Sequence, residues 1–411
     1  MALNYIWIAF FLIAFVVALA QLIIFQDTAI FERIMTASFD SAKMAVLDIS
    51  LPLAGIMTLW LGIMNIGERA GAIRFLSKIV GPFFSKLFPE IPKNHPANGQ
   101  LLMNFSANML GLDNAATPLG LKAMQSLQDL NPNKEVASNA QIMFLALNTS
   151  GLTIIPISII AQRAILGAVN PTDVFIPILI ATFVSTLCAI LYVGIRQKLN
   201  LLNGTFIGWI AAIMALLGGL VWWFSSLSKE EMAIASSVLS NVTIFSIIVV
   251  FISGALFKKV NVWEAFIDGA KGGFETSVKI IPYLVGMLVG VAVFRASGAM
   301  EMLTDGIKYG IAALGVDTQF VEALPTAFMK PLSGSGARGM MLDSMKTFGP
   351  DSFVGHLSCL FQGAADTTFY IVALYFGSVG IKRTRYAIGA GLIADLAGVI
   401  AAILLAYAFF S

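Results

Sequence analysis

The fold of this chain is decided by residues 331–353, PLSGSGARGMMLDSMKTFGPDSF. This stretch interrupts an apolar sequence with glycines, serines and one arginine, Arg338. Segments 321–329, before the interruption, and 339–348, after its glycines, each suit a short helix. Two short helices joined by polar backbone are typical of a re-entrant hairpin, because unwound backbone inside a bilayer is tolerated only beside protein or a water-filled cavity. The stretch therefore predicts a ligand site.

The composition indicates an α-helical membrane protein. Of 411 residues, 58% are hydrophobic and 12% are charged, whereas soluble globular chains carry about 25% charged residues. Several apolar runs reach the ~20 residues that a helix needs to cross a bilayer, and the alternating segments of a transmembrane barrel are absent. The net charge of +2 comes without a basic stripe, which argues against nucleic-acid partners. Cys188 and Cys359 fit no metal or disulfide spacing.

Hydropathy predicts about nine transmembrane helices. They lie near residues 4–25, 44–66, 138–162, 172–195, 205–225, 236–257, 277–296, 353–378 and 384–410. The first lacks a basic n-region and a cleavage site, so we expect a retained helix and not a signal peptide. Segments 98–128 and 321–348 are too polar or too short to cross and are predicted to be re-entrant hairpins. Residues 70–89 suit an amphipathic interfacial helix.

The chain repeats a series of features in one order. Asp40-Ser41-Ala42-Lys43 resembles Asp268-Gly269-Ala270-Lys271, and each is followed by a proline-containing span, a glycine-containing hairpin and a polar patch. If each hairpin returns to the side from which it enters, an odd number of spans separates the start of the first repeat from the start of the second. The two repeats are therefore predicted to have inverted orientations in the membrane, as in many transporters. Loops on the N-terminal side carry most Lys and Arg, which predicts a cytoplasmic N-terminus and an outside C-terminus.

Polar residues concentrate in the first hairpin and after it. The hairpin carries Asn104, Asn108, Asp113, Asn114 and Thr117. An exposed loop with helix caps is the alternative interpretation, but the apolar residues among them favour a hairpin. A second patch, Asn148-Thr149-Ser150-Gly151, lies within an apolar span, where ligand binding and helix packing both stay open.

The second hairpin contains Gly334-Ser335-Gly336-Ala337-Arg338-Gly339, a literal G-x-G-x-x-G. A dinucleotide site is not predicted, because that motif needs a preceding strand and a βαβ unit. Glycines also let backbone N–H groups face a ligand, and a helix N-terminus favours an anion. Arg338 would add a planar donor for a carboxylate or phosphate; its alternative is an interfacial arginine that snorkels to the surface.

Two acidic residues, Asp366 and Asp395, lie near the middle of predicted spans. A charge there is costly and is a functional-site hypothesis by default. Asp366, with Gln362, Thr367 and Thr368, is expected either to bind Na⁺ or H⁺ or to pair with Arg338. Asp395 suits either the same cavity or a helix interface. No Ser-His-Asp set, P-loop or H-E-x-x-H motif is present, so we do not expect an enzyme.

Four longer strings resemble known families. Residues 108–125, NMLGLDNAATPLGLKAMQ, and 146–156, ALNTSGLTIIP, resemble the spore maturation protein A family. Residues 325–343, PTAFMKPLSGSGARGMMLD, and 349–387 resemble the spore maturation protein B family. The resemblance implies a fusion of the two, each with a nucleoside-recognition or Gate domain that is related to gates of ferrous iron transporters and to concentrative nucleoside transporters.

The resemblance and the spans together predict four regions: an N-terminal transmembrane helix at 1–30, a spore maturation A-like Gate repeat at 31–200, linking helices at 201–260 and a B-like Gate repeat at 261–411. The implied location is the bacterial inner membrane. The expected partners are the lipid bilayer, a small solute and further copies of the chain, with no nucleic acid.

The function that these features predict is secondary transport of a small polar solute, amphoteric or anionic, such as a nucleoside, amino acid or small peptide. Na⁺ or H⁺, bound at Asp113 or Asp366, would be the coupling ion, and no other cofactor is expected. The alternatives are a membrane scaffold or regulator that transports nothing, and a passive channel. The predicted substrate-binding residues are Asn108, Asp113, Asn114, Asn148, Thr149, Ser333, Ser335, Arg338, Gln362, Asp366, Thr367 and Thr368.

Overall fold

The computed structural model describes residues 2–111, 113–227 and 229–411; within these ranges the side chains of residues 2–4, 113–115, 221, 224, 225, 229, 230, 232, 233, 236 and 237 are not described. As predicted, the protein is all-helical. The described residues form no β-strand, only an isolated bridge between Val136 and Arg383.

The helices of the N-terminal half follow one another with short connections. In chain order they are α1 (Ala2–Ile24), α2 (Ile30–Met44), α3 (Leu51–Ala70), α4 (Ala72–Leu87), α5 (Pro96–Met109), α6 (Asp113–Leu130), α7 (Asn139–Ser150), α8 (Ile157–Ile165) and α9 (Phe175–Arg196). A π-helical stretch, Ala45–Ser50, joins α2 to α3 without a break.

The C-terminal half continues in the same way. Its helices are α10 (Gly204–Ser225), α11 (Lys229–Phe257), α12 (Val262–Ala296), α13 (Ala299–Ala312), α14 (Leu324–Met329), α15 (Gly334–Phe348), α16 (Phe353–Gly363), α17 (Thr368–Ser378) and α18 (Ala387–Phe410). A 3₁₀ turn, Gln319–Ala323, precedes α14.

Seven helical segments among the described residues are long and apolar enough to cross a membrane. They are Tyr5–Ile24, Ile30–Ala70, Phe175–Arg196, Val238–Phe257, Val262–Ala296, Phe353–Ser378 and Ala387–Phe410. The protein is therefore a multi-pass membrane protein.

The helix boundaries differ from the expected spans in one informative way. The predicted span 138–162 is two helices, α7 and α8, with residues 151–156 between them, and the predicted span 353–378 is α16 and α17, with 364–367 between them. The interruptions fall at the polar patches. Hydropathy alone did not separate these helices, because the residues on both sides of each patch are apolar.

Long helices from the two halves pack closely through glycine. A Cβ added at Gly269 of α12 would lie 2.3 Å from the Leu61 carbonyl oxygen of α3, and one at Gly273 would lie 2.5 Å from the Met57 carbonyl oxygen. Glycines four residues apart let helix backbones approach in this way in membranes. Asn65 Nδ2 also donates to the Ala265 carbonyl at 2.6 Å. This α3–α12 contact fixes the two halves against each other.

The chain forms two helical hairpins, each packed against several other helices. The α5–α6 hairpin packs against α4, α7 and α17, and the α14–α15 hairpin packs against α12 and α16. The pair α9 and α18 contacts both interrupted helices, α7 and α16. The hairpins occupy the segments that the sequence assigned to hairpins, 98–128 and 321–348.

Candidate functional site

The two interrupted helices cross at their interruptions. Helix α7 ends at Gly151, whose φ of 58° is left-handed and suits glycine. The Asp366 backbone N–H, between α16 and α17, donates to the Thr149 carbonyl oxygen at 2.8 Å. A Cβ at Gly151 would lie only 2.9 Å from that same Asp366 nitrogen. Glycine is therefore what allows non-helical backbone from one half to touch non-helical backbone from the other.

Each hairpin turn binds the interruption in its own half. The Ile154 N–H donates to the Met109 carbonyl, at the α5–α6 turn, at 2.7 Å. The Phe369 N–H donates to the Pro331 carbonyl, at the α14–α15 turn, at 3.0 Å. These bonds satisfy backbone groups that the broken helices leave without an intrahelical partner. They also bring both hairpin turns to the crossing point.

A cavity of about 380 Å³ lies at this crossing. Its wall comes from both hairpins, both interruptions and the α3–α12 pair. The lining side chains with polar atoms are Trp60, Asn108, Thr117, Asn148, Thr153, Ser158, Thr276, Lys330, Arg338, Gln362, Asp366, Tyr370 and Tyr375. The volume lies in the range of ~300–1,000 Å³ that small-molecule sites occupy.

An amide network forms one wall of the cavity. Asn108 Nδ2, on α5, donates to Asn148 Oδ1, on α7, at 2.8 Å. Asn148 Nδ2 donates to the Phe144 carbonyl at 2.9 Å, and the Tyr375 hydroxyl donates to Asn148 Oδ1 at 3.4 Å. Asn148 thus links α5, α7 and α17 and also lines the cavity. The sequence left open whether this residue serves helix packing or ligand binding, and its position is compatible with both.

The charged groups of the wall come from the second half of the chain. Lys330, at the α14–α15 turn, is only 8% exposed although it is a lysine. Arg338, about one turn into α15, is half-buried, and Asp366 is exposed to the cavity. The cavity therefore presents two cationic groups and one carboxylate to an occupant.

The G-x-G-x-x-G segment is helical, which corrects the expectation of open backbone facing a ligand. Ser333 caps α15 by accepting from the Gly336 N–H at 3.0 Å. A Cβ at Gly334 would lie 2.8 Å from Thr367 Oγ1, and one at Gly336 would lie 2.4 Å from Met329 Cε. These glycines thus serve close packing of the hairpin against its neighbours, and the helix begins at residue 334 instead of 339.

Not all predicted site residues reach the cavity. Among them, Asn108, Asn148, Arg338, Gln362 and Asp366 line it. The side chains of Asp113 and Asn114 lie outside the described part of the structure.

The remaining predicted residues support the cavity from behind. Thr149 bonds its own helix at the Ala146 carbonyl, Ser333 and Ser335 contact each other at 3.2 Å, and the Thr368 hydroxyl donates to Asp395 Oδ2 at 2.7 Å. Thr367 is buried beside Asp366, whose Oδ1 accepts from its N–H at 2.7 Å.

Sequence reasoning missed several lining residues. Lys330 lies between the predicted short helix 321–329 and the polar stretch that begins at Pro331, and no role was predicted for it, although a lysine in an apolar hairpin was a usable signal. Trp60, Tyr370 and Tyr375 looked like apolar residues of spans and carried no signal of their own. Their position follows from the helix crossing, which sequence periodicity does not encode.

A second polar cluster surrounds Arg163, at the end of α8. The guanidinium is fully buried and reaches Asp173 at 3.0 Å, Asp351 at 3.0 Å, His356 Nε2 at 3.1 Å and the Pro350 carbonyl at 2.6 Å. His356 stacks on Phe410, with ring centroids 3.9 Å apart. Asp173, Asp351 and His356 are spaced closely enough to share a cation, and the arginine itself occupies that role.

The two hairpins and the two interruptions lie within segments that match a single family model. Residues 50–166 and 277–382 match the family model described as Gate, nucleoside recognition. The chain belongs to the Gate family. Both matched segments contain a hairpin and the interrupted helix that follows it, whereas α18 lies beyond them.

Two curated relatives are similar to the two parts of this Gate-family chain. Spore maturation protein B of Bacillus subtilis (strain 168) is 44% identical over 164 residues, which are 39% of this chain and 90% of that protein. Spore maturation protein A of the same organism is 41% identical over 198 residues, 47% of this chain and 97% of that protein. No solved structure matches the chain.

Proposed function

We propose that this Gate-family protein is a secondary transporter of a small polar solute in the bacterial inner membrane. The observation that carries the proposal is the cavity of about 380 Å³ where the two interrupted helices cross. Discontinuous helices that meet at the membrane midplane are the recurrent binding architecture of secondary transporters. Polar side chains that surround a shared cavity suit a binding site better than a scaffold, in which they would be expected to pack against one another.

A buried hydrogen-bond acceptor in the cavity wall, without a partner among the described residues, supports a binding role. Gln362 is 7% exposed, and its Oε1 accepts no hydrogen bond from any described residue. A buried acceptor without a partner costs about 1–3 kcal/mol. A solute with a hydrogen-bond donor would recover that cost, so Gln362 is suited to hold a ligand N–H or O–H.

The charges of the wall define the class of solute. Lys330 and Arg338 favour a carboxylate or phosphate, and Asp366 favours an amine or a hydroxyl group. Asn108 and Asn148 offer amides, and Tyr370 and Tyr375 offer aromatic faces. We therefore propose an amphoteric or anionic solute, such as an amino acid, a small peptide or a nucleoside, with Na⁺ or H⁺ at Asp366 or Asp113 as coupling ion.

The transport cycle we propose uses the two hairpins as gates. They belong to inverted repeats, so the α5–α6 hairpin would enter from the cytoplasm and the α14–α15 hairpin from outside. Each turn is tied to its interruption by one backbone hydrogen bond, from Ile154 and from Phe369. One bond contributes about 0.5–1.5 kcal/mol, which is small enough to break and re-form during alternating access.

Uptake into proteoliposomes that contain the full chain tests the proposal. A panel of labelled nucleosides, amino acids and dipeptides is offered, with and without Na⁺ and proton gradients. We expect saturable, gradient-driven uptake of one class, and a loss of about tenfold or more in Arg338→Ala and in Asp366→Asn, because each removes a charge-assisted contact. Lys382→Ala, whose side chain is 72% exposed, is the matched control and should transport normally.

The alternatives give different results in the same assay. Uptake that neither saturates nor responds to gradients indicates a passive channel. Absence of uptake for the whole panel, together with no thermal stabilisation by any member, indicates a scaffold or regulator. Normal transport in both Arg338→Ala and Asp366→Asn contradicts the assignment of the site.

A further inference from the structure

A buried carboxylate lies directly behind the cavity, on a helix outside the segments that match the Gate family. Asp395, midway along α18, is 5% exposed. Its Oδ2 accepts from the Thr368 hydroxyl at 2.7 Å, and its Oδ1 accepts no hydrogen bond from any residue that the structure describes. The sequence left open whether this residue faces the cavity or a helix interface, and it lies at the interface of α18 and α17.

Glycines before and after Asp395 allow α18 to approach the residues at the interruption between α16 and α17 closely. A Cβ at Gly391, one turn before Asp395, would lie 2.6 Å from Thr368 Cγ2, and one at Gly398 would lie 3.0 Å from the Ala364 carbonyl oxygen. No larger residue allows this approach. The close contact excludes water from Asp395 and leaves Thr368 as its hydrogen-bonding neighbour.

Asp395 lies within electrostatic range of two charged groups of the cavity. They are Lys330, from the α14–α15 turn, and Asp366, from the α16–α17 interruption. The other polar group beside it, Ser185 of α9, donates to the Ala394 carbonyl at 2.9 Å. The ionisation of Asp395 is thus linked to the groups that we expect to contact the solute.

An ionised carboxylate with a single hydrogen bond is costly in a buried site. The cost is relieved either by the positive charge of Lys330 or by a proton on Oδ1. A solute anion that binds at Lys330 would offset that positive charge at short range. Proton uptake at Asp395 would then restore neutrality, because a nearby negative charge disfavours a second one.

We propose that Asp395 is a proton-binding site, and that solute binding at Lys330 drives its protonation. The proton enters from the cavity and rests on Oδ1, and release of solute allows it to leave. This deepens the proposed function by assigning the coupling ion, H⁺, and rests on that function for the coupling, whereas proton binding by Asp395 does not depend on it.

The closing experiment measures proton binding and transport separately. Infrared spectra of the purified full chain in lipid, recorded across pH, should contain a titrating carboxylic acid C=O band that disappears in Asp395→Asn. The band should persist in Asp129→Asn, an exposed carboxylate at the end of α6. If the wild type lacks the band, or if Asp395→Asn retains it, the proton site is refuted, whatever the transport result.

Thr368→Val provides a second variant that keeps the carboxylate. It removes the one hydrogen bond to the ionised form, so the titration should move about one unit to higher pH. An unmoved titration contradicts the assignment of the band to Asp395. In proteoliposomes, Asp395→Asn should lose proton-driven accumulation at least tenfold yet retain exchange of solute on the two sides. Retained accumulation overturns the coupling, whereas absence of any wild-type uptake counts against the proposed function alone.

Discussion

The cavity and the cluster around Arg163 contain the same kinds of residue and have opposite character. Both bring an arginine and an aspartate together with polar side chains from the two halves of the chain. Around Arg163 the guanidinium is fully buried and reaches two carboxylates, a histidine nitrogen and a backbone carbonyl. Around Arg338 the polar groups surround a cavity of about 380 Å³.

The difference teaches how to separate structural from ligand-binding charge in a membrane. A fully buried charge that contacts several charged and polar neighbours, as Arg163 does, stabilises the fold only while every partner stays in place. Polar groups that face a common space and keep an unused acceptor, as Gln362 does, have capacity for an external partner. Substitutions in the Arg163 cluster should lower the free energy of unfolding, and substitutions in the cavity wall should lower the affinity for solute.

The largest effect is expected at Arg163. Arg163→Met removes the only cation that the structure places among Asp173, Asp351 and His356 in its described part. Two carboxylates would lose their counter-charge, so we expect a loss of about 3–5 kcal/mol in the free energy of unfolding. Denaturant titration in detergent micelles measures it.

Arg163→Lys is the matched variant for this prediction. Lysine keeps the charge but lacks the planar fork that reaches several acceptors at once, so its loss should be intermediate. Equal stability of wild type and Arg163→Met would mean that the cluster contributes nothing to folding, and the contrast with the cavity would then disappear.

The next largest effect is expected where the interrupted helices cross. Gly151→Ala places a Cβ in the left-handed region, at a cost of about 1–2 kcal/mol, and 2.9 Å from the Asp366 nitrogen, at a further cost of about 1–3 kcal/mol. The variant should unfold more easily, and its cavity should bind solute less well because the crossing backbone has to move apart.

Gly167→Ala isolates the crossing contact from the backbone strain. Gly167 has a φ of 78° and nothing within 4 Å of an added Cβ, so it should show the left-handed cost alone. Equal losses in the two variants would indicate that the close contact at Asp366 carries no energy.

The sequence predicted more of the fold than of the site. Glycines and prolines located both hairpins, because these residues leave a local trace. The polar patches were noticed, but the spans around them were predicted to be continuous. Asp395 was ambiguous and Lys330 was given no role, since their positions depend on a turn and a helix face that meet only in three dimensions. Arg163 served only as a loop charge for predicting orientation, and its full burial follows from contacts with residues about 190 positions away.

The most direct comparison between the Arg163 cluster and the cavity makes the same substitution, Asp to Asn, once in each. Asp173→Asn removes a charge beside the buried Arg163 and next to His356 Nε2, which lies 2.9 Å from Asp173 Oδ2. We expect a loss of about 1–3 kcal/mol in the free energy of unfolding, because a charged hydrogen-bonding partner of a buried group is lost.

Asp366→Asn makes the same chemical change at the cavity and should alter stability by less than about 0.5 kcal/mol. Asparagine keeps the side-chain oxygen that accepts from the Thr367 N–H, and the side chain of residue 366 is exposed at the cavity, where water screens the loss of its charge. Denaturant titration and solute binding are measured on both variants. If Asp366→Asn destabilises the protein as much as Asp173→Asn does, the cavity carboxylate is structural, and the distinction between the Arg163 cluster and a binding site is wrong. If the Asp366→Asn protein is stable but no longer binds solute, the distinction is supported directly.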